Sequence, residues 1–192
     1  MKEIYLKKAK QKTSQRPFSW MNPNLEVRDT EKYDKGVFAL DDIKKDEILF
    51  VMGGYILNII DENNLKGEVA DKPIEISEWF SIGPVKESDI DLMPQHRVNH
   101  SCNPNAGFKG SIFMVAMKKI KKGEEILYDY AMITQSNPNS KDFFTMKCEC
   151  GSRNCRGEFK ENDWMIKTLQ KKYDGYFQWY LQEKINKIKN KK

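Results

Sequence analysis

Four cysteines are the first residues whose type and spacing suggest chemistry. Three are bunched, as Cys148-Glu149-Cys150 and then Cys155, with Gly151 to turn the loop between them, and Cys102 stands far upstream. Thiolates so closely spaced suit a tetrahedral zinc site, which needs a fourth ligand. Cys102 is the remaining cysteine, and His100 and His96 are rival ligands. Two disulfides are possible on paper, but spacing and a reducing compartment together favour zinc. A closed four-thiolate site has no open position for water, so it is structural and does not hydrolyse anything. It would also clamp the chain around residue 102 to the loop at 148–155.

Two further groups carry polar chemistry. Arg97-Val98-Asn99-His100-Ser101-Cys102-Asn103-Pro104-Asn105 is dense in polar side chains between apolar runs. An Asn/Pro turn accounts for residues 103–105. It does not account for Asn99 and His100 beside a metal ligand. The second group is Tyr128-Asp129-Tyr130, which ends a run begun at Glu125. Tyrosines two apart in a strand point to one face, so the two phenols can line one pocket. Ordinary cross-strand packing explains such a pair equally well.

The elements that must position these residues are short. Leu25–Arg28, Gly36–Leu40, Glu47–Met52, Ile74–Phe80, Ile112–Ala116 and Glu125–Tyr128 read as strands separated by Asp-, Gly- and Pro-rich turns, the pattern of a mainly β domain. Residues 85–92 suit a short helix or turn. In the last third, Asn162 or Asp163 can cap a helix beginning at Trp164, with Ile166, Leu169 and Tyr173 at helical spacing. Gly175 interrupts, and Phe177, Tyr180, Leu181, Ile185 and Ile188 resume the pattern in a second helical piece that packs on the β domain. The expected division is a basic arm over 1–23, a main domain over 24–135, a zinc motif over 146–160 and a helical extension over 161–192.

At 192 residues, 39% hydrophobic and 11% aromatic, the chain can bury a core without disulfides. No run is apolar enough to cross a membrane, and no secretory signal follows the lysine-rich start. A cytoplasmic location is expected, or a nuclear one if the protein is eukaryotic or acts on host chromatin. The net charge of +5 invites a nucleic-acid reading. Yet Arg supplies only five of the 33 cationic residues, and forked contacts to phosphate and guanine favour Arg.

Taken in order, these motifs resemble a known family. Arg97–Asn105 and Gly123-Glu124-Glu125-Ile126-Leu127-Tyr128-Asp129-Tyr130-Ala131 resemble the two signature blocks of the SET-domain protein-lysine methyltransferases, most like small single-domain prokaryotic-type members. Cys148-Glu149-Cys150 with Cys155-Arg156-Gly157 resembles the family's post-SET zinc motif, and residues 25–54 resemble its opening strands. Two departures stand out. The first turn keeps only the second glycine of the usual pair, as Asp34-Lys35-Gly36. Val51-Met52-Gly53-Gly54 replaces the frequent Tyr-x-Gly-Glu.

The resemblance implies a SET β-clip fold of short strands with knot-like C-terminal threading. It implies S-adenosylmethionine (AdoMet) as methyl donor, one structural Zn2+ held by Cys102, Cys148, Cys150 and Cys155, and a protein substrate with a target lysine. Histone-like, ribosomal or host chromatin proteins all qualify, and nucleic acid is not the expected substrate. Tyr130 matches the catalytic tyrosine and Tyr128 a position that limits methylation, here mainly to one methyl. Lys35, Gly36, Val37, Arg97, Asn99, His100, Tyr130 and Phe159 match the cofactor site. Phe80 and Tyr128 are expected at the substrate, with a peptide strand added along Ile74–Phe80 or the segment before Arg97. A zinc-stabilised binding module that has lost catalysis is the competing reading.

Overall fold

The computed structural model describes residues 18–134 and 145–190, so most of the expected basic arm lies outside the described residues. In chain order the strands are β1 (Trp20–Met21), β2 (Leu25–Asp29), β3 (Lys35–Ala39), β4 (Ile48–Val51), β5 (Tyr55–Asn58), β6 (Ile74–Glu75), β7 (Phe80–Gly83), β8 (Asn99–His100), β9 (Ala106–Lys109), β10 (Phe113–Ala116), β11 (Leu127–Tyr128), β12 (Thr145–Lys147) and β13 (Glu158–Lys160). The helices are α1 (Ile59–Asn63), α2 (Lys167–Lys172) and α3 (Trp179–Asn190). The mainly β expectation holds, and the strands form several small sheets rather than one large one.

A four-stranded sheet runs in the order β1-β4-β10-β9, and a three-stranded one in the order β5-β7-β6. The strands are short because turn-forming residues recur every few positions, yet most carry at least one apolar residue to bury. Leu49 and Phe50 of β4, Phe108 of β9 and Met114 of β10 are fully buried, as is Val37 of β3. The β2–β3 hairpin pairs Val27 with Val37 and ends in the turn at residues 30–34. Trp20 and Met21, the end of the expected arm, pair with Val51 and Phe50 and so belong to the main sheet.

The C-terminal helices complete the core. Tyr173, Phe177, Leu181 and Ile185 are buried against it, in keeping with the 3.6-residue spacing of the sequence. Gly175 separates the two helices at φ +74°, a conformation glycine adopts without a Cβ clash.

Two expected elements differ. Ile74–Phe80 is not one strand. The amides of Ile76 and Ser77 both donate to the Phe80 carbonyl, and the Ser77 hydroxyl accepts from Trp79 and Phe80 N–H. That local turn reverses the chain between β6 and β7. The helix expected from Trp164 begins instead at Lys167. Asp163–Met165 forms a single 3-10 turn whose N-cap residue, Asn162, makes no side-chain cap, and the Asp163 carboxylate is held by Arg156.

Candidate functional site

The site is built where the two signature blocks meet. β8 and β11 pair in parallel, with Leu127 opposite Asn99 and Tyr128 opposite His100. Asn105 holds this crossing from the side. Its Nδ2 donates to the Glu125 carbonyl at 2.7 Å and its Oδ1 accepts the Leu127 N–H at 2.8 Å. By sequence Asn105 belongs to an Asn/Pro turn, yet its side chain bonds the backbone on both sides of Ile126 as a strand partner would.

The pairing gathers four rings. Tyr130 lies with its ring centroid 5.0 Å from Tyr128, 5.1 Å from His100 and 5.9 Å from Phe159. Phe108 meets Tyr128 edge-on at 5.5 Å from below. Burial raises the Tyr130 phenol to about 12, with the charges of Tyr33 and Asp71 adding to it, and raises Tyr128 well above the ordinary tyrosine value. Both are therefore neutral hydroxyls at physiological pH, able to donate and accept but not to act as strong bases.

His100 ties this cluster together. Its Nδ1 accepts the Tyr130 N–H at 3.2 Å, and its Nε2 lies 3.6 Å from Cys102 Sγ. Burial lowers its pKa to about 4, so the ring is neutral, and the accepted Tyr130 bond leaves the proton on Nε2, facing the sulfur.

On the other side, Asn99 Nδ2 donates to the Lys35 carbonyl at 2.9 Å and to Glu125 Oε1 at 2.8 Å. A Cβ at position 36 would lie 2.5 Å from Glu125 Oε1, so a larger residue there would displace the carboxylate that Asn99 holds. Val37 is enclosed in the core with its carbonyl accepting from Ile126. Arg97 reaches Asp34 at 3.4 Å and Asp91 at 3.3 Å, while its buried Nε has no partner among the described residues. That unspent donor beside Asn99 and the first turn is what an anionic ligand group would use. Phe80 is half exposed at the start of β7. Both edges of β7 are taken, by β5 and β6, so a peptide strand can join that sheet only at β5 or β6 and not along Phe80.

The four cysteines converge. Their sulfurs all lie within 4.8 Å of one another, with Cys102–Cys148 at 3.7 Å and Cys148–Cys155 at 3.5 Å. A tetrahedral zinc thiolate with bonds of about 2.3 Å has S···S edges of roughly 3.8 Å, so the donor set fits zinc. The Arg156 and Gly157 amides point at Cys102 and Cys155 Sγ from 3.4 and 3.3 Å, as expected around thiolates. The β12–β13 hairpin ties off the three-cysteine loop and seats Phe159, fully buried, against His100 and Tyr130. His96 is not among the clustered ligands.

A buried ionic network was not anticipated. Asp129 is fully buried between the two tyrosines. Arg156 grips it from the three-cysteine loop, Tyr173 donates to it at 2.9 Å, and Arg156 Nε reaches Asp163 at 3.0 Å. A signal was present: Arg is scarce in this Lys-rich chain, and a forked guanidinium is what a bidentate carboxylate contact needs.

Comparison with known proteins fits this geometry. The model of the SET domain matches residues 34–131. A "Histone-lysine N-methyltransferase, H3 lysine-36 specific" of Debaryomyces hansenii is 29% identical over 69% of this chain and 18% of its own length. A "Variant-silencing SET domain-containing protein" of Plasmodium falciparum is 31% identical over 69% of this chain and 5% of its own. The chain thus spans less than a fifth of these relatives. Among solved structures, KRYPTONITE in complex with mCHH DNA, H3(1-15) peptide and SAH shares the fold, with a TM-score of 0.53 and 21% identity over 72% of this chain and 30% of that one.

Proposed function

The chain belongs to the SET-domain family, and from that membership we propose that it is an AdoMet-dependent protein-lysine N-methyltransferase that adds mainly one methyl group. The observation that carries the reading is the half-buried Tyr130 side chain, its ring set among Tyr128, His100 and Phe159 beside the cysteine cluster. Relatives named as histone-lysine methyltransferases and a SAH-bound neighbour of the same fold support it.

When bound, AdoMet supplies a methyl group on a sulfonium, open to in-line attack by an amine. Arg97, with its unspent Nε, and Asn99 would hold the amino-acid end of the cofactor near the Lys35–Gly36 turn. Phe159, buried against His100 and Tyr130, would support the adenine side of the cofactor. A target lysine has an unperturbed pKa of about 10.4, and the apolar aromatic walls disfavour its ammonium form, so the amine enters neutral. The Tyr130 hydroxyl orients it, and alignment does most of the work. Cys102, Cys148, Cys150 and Cys155 would hold a zinc ion that orders the hairpin carrying Phe159 and supplies no chemistry to the reaction.

Tyr128 limits the product. A hydroxyl there can hold a water in the space a second methyl would need. The substrate is a protein lysine, with histone-like and ribosomal proteins as acceptors to try first.

The test incubates the protein with tritiated AdoMet and either core histones or ribosomal proteins, then reads products by mass spectrometry. Monomethyl-lysine from the wild type, and di- or trimethyl-lysine from Tyr128→Phe, is expected. Trimethyl-lysine as the main wild-type product overturns the multiplicity, and no AdoMet binding by calorimetry favours the catalytically inactive binding module instead.

A further inference from the structure

We propose that Tyr173, in the C-terminal helices and 42 residues beyond the matched domain, is a positioning residue for Tyr130. The backbone at Tyr130 is pinned at two successive amides. Tyr130 N–H donates to His100 Nδ1 at 3.2 Å, and Ala131 N–H donates to Asp129 Oδ1 at 3.1 Å. Asp129 thereby caps the 3-10 turn Tyr130–Met132.

The direction of Tyr130 thus depends on how firmly the Asp129 carboxylate is held. An ionised carboxylate accepts about four hydrogen bonds. Asp129 receives four: two from Arg156, one from Ala131 and one from the Tyr173 hydroxyl at 2.9 Å on Oδ2. The Tyr173 phenol is the donor in that bond, since a carboxylate oxygen can only accept.

The same hydroxyl lies 3.3 Å from the Cys102 carbonyl, and Lys172 Nζ donates to that carbonyl at 2.8 Å. One helix end therefore touches both the turn that carries Tyr130 and the backbone of a zinc ligand. Packing alone would need only the Tyr173 ring, which is fully buried beside Phe177. The hydroxyl is an addition aimed at Asp129. Tyr176, three residues on, sends its hydroxyl to exposed Asp46 at 3.1 Å instead, and so provides an internal control.

The experiment compares Tyr173→Phe and Tyr176→Phe in the zinc-loaded full chain. Amide hydrogen exchange at Tyr130 and Ala131 is followed by NMR or mass spectrometry. Methyl transfer to core histones, or to whichever acceptor the wild type labels, gives kcat and the KM for AdoMet. For Tyr173→Phe, exchange at both amides about ten-fold faster is expected, with kcat down about ten-fold and KM for AdoMet and zinc content unchanged. Tyr176→Phe leaves all of these as in the wild type. Wild-type exchange and kcat in Tyr173→Phe overturn the proposal, as does an equal change in both variants. Asp129→Asn, which keeps the shape but not the charge, moves the same two amides in the same direction. The kinetic readout rests on the methyltransferase reading and the exchange readout does not. A wild type that methylates nothing therefore defeats that reading while exchange still decides the role of Tyr173.

Discussion

The Arg156 guanidinium closes on the Asp129 carboxylate through hydrogen bonds of 2.6 and 2.8 Å, joining the loop of Cys155 to the residue before Tyr130. Asp129 is fully buried, so its charge has no water to turn to if the arginine is lost. Arg156→Met is expected to cost about 3–5 kcal/mol, the usual penalty for stranding one partner of a buried pair. Arg156→Lys keeps the charge but loses the fork, and should cost less. Urea unfolding of the zinc-loaded protein measures both. Equal stability for wild type and Arg156→Met would show that Asp129 is satisfied without it.

The parts of this site legible in the sequence were those whose chemistry is local. Three cysteines in eight residues announce a metal loop whatever the fold, and Cys102 had to be the distant partner or yield to a histidine. The strands over 25–29, 35–39 and 48–51 showed through because their alternation and turns are local too. Ile74–Phe80 misled because alternation persists across a Ser77 turn that period alone does not reveal. Asp129, Asn105 and Tyr173 were silent for another reason. Each makes contacts 20 or more residues away, and no spacing rule joins Tyr173 to Asp129 across 44 positions.

Zinc removal tests how the cysteine loop serves the pocket. A tight chelator, or Cys150→Ser, should abolish metal binding and make residues 148–155 more sensitive to protease, while Arg156 and the buried Phe159 still anchor the end of the hairpin. AdoMet affinity should fall about ten-fold because Phe159 sits on that hairpin. Metal analysis, limited proteolysis and calorimetry read these three effects. Unchanged AdoMet affinity in the metal-free chain would separate zinc from the cofactor site.

Tyr130→Phe removes a hydroxyl and leaves the ring that packs on His100, Tyr128 and Phe159. If orientation of the amine is its task, kcat should fall about 100-fold while AdoMet binding stays within about three-fold of wild type. Single-turnover kinetics with core histones, alongside calorimetry, gives both numbers. A parallel loss of AdoMet affinity would instead make Tyr130 a cofactor-binding residue first.

Acid should weaken the fold through His96, which lies away from the cysteine cluster. Burial lowers its pKa to about 4, and the cations Lys72 and Arg97 add to the effect against the opposing charge of Asp71. Unfolded, the ring returns to its ordinary value of about 6.5, so the unfolded chain takes up the proton first as pH falls. This group's contribution is fully present above about pH 6.5 and is lost as pH drops toward 4, with no further loss below. At about 1.4 kcal/mol per unit, the shift implies a loss of about 2 kcal/mol by pH 5. His96→Gln has no proton to gain, so it should be less stable than wild type by a smaller margin at pH 5 than at pH 7.5. Urea unfolding at the two pH values gives that margin directly, and comparison of the two proteins cancels acid effects on the thiolates. An identical pH dependence in both would mean that His96 titrates alike in the folded and unfolded chains.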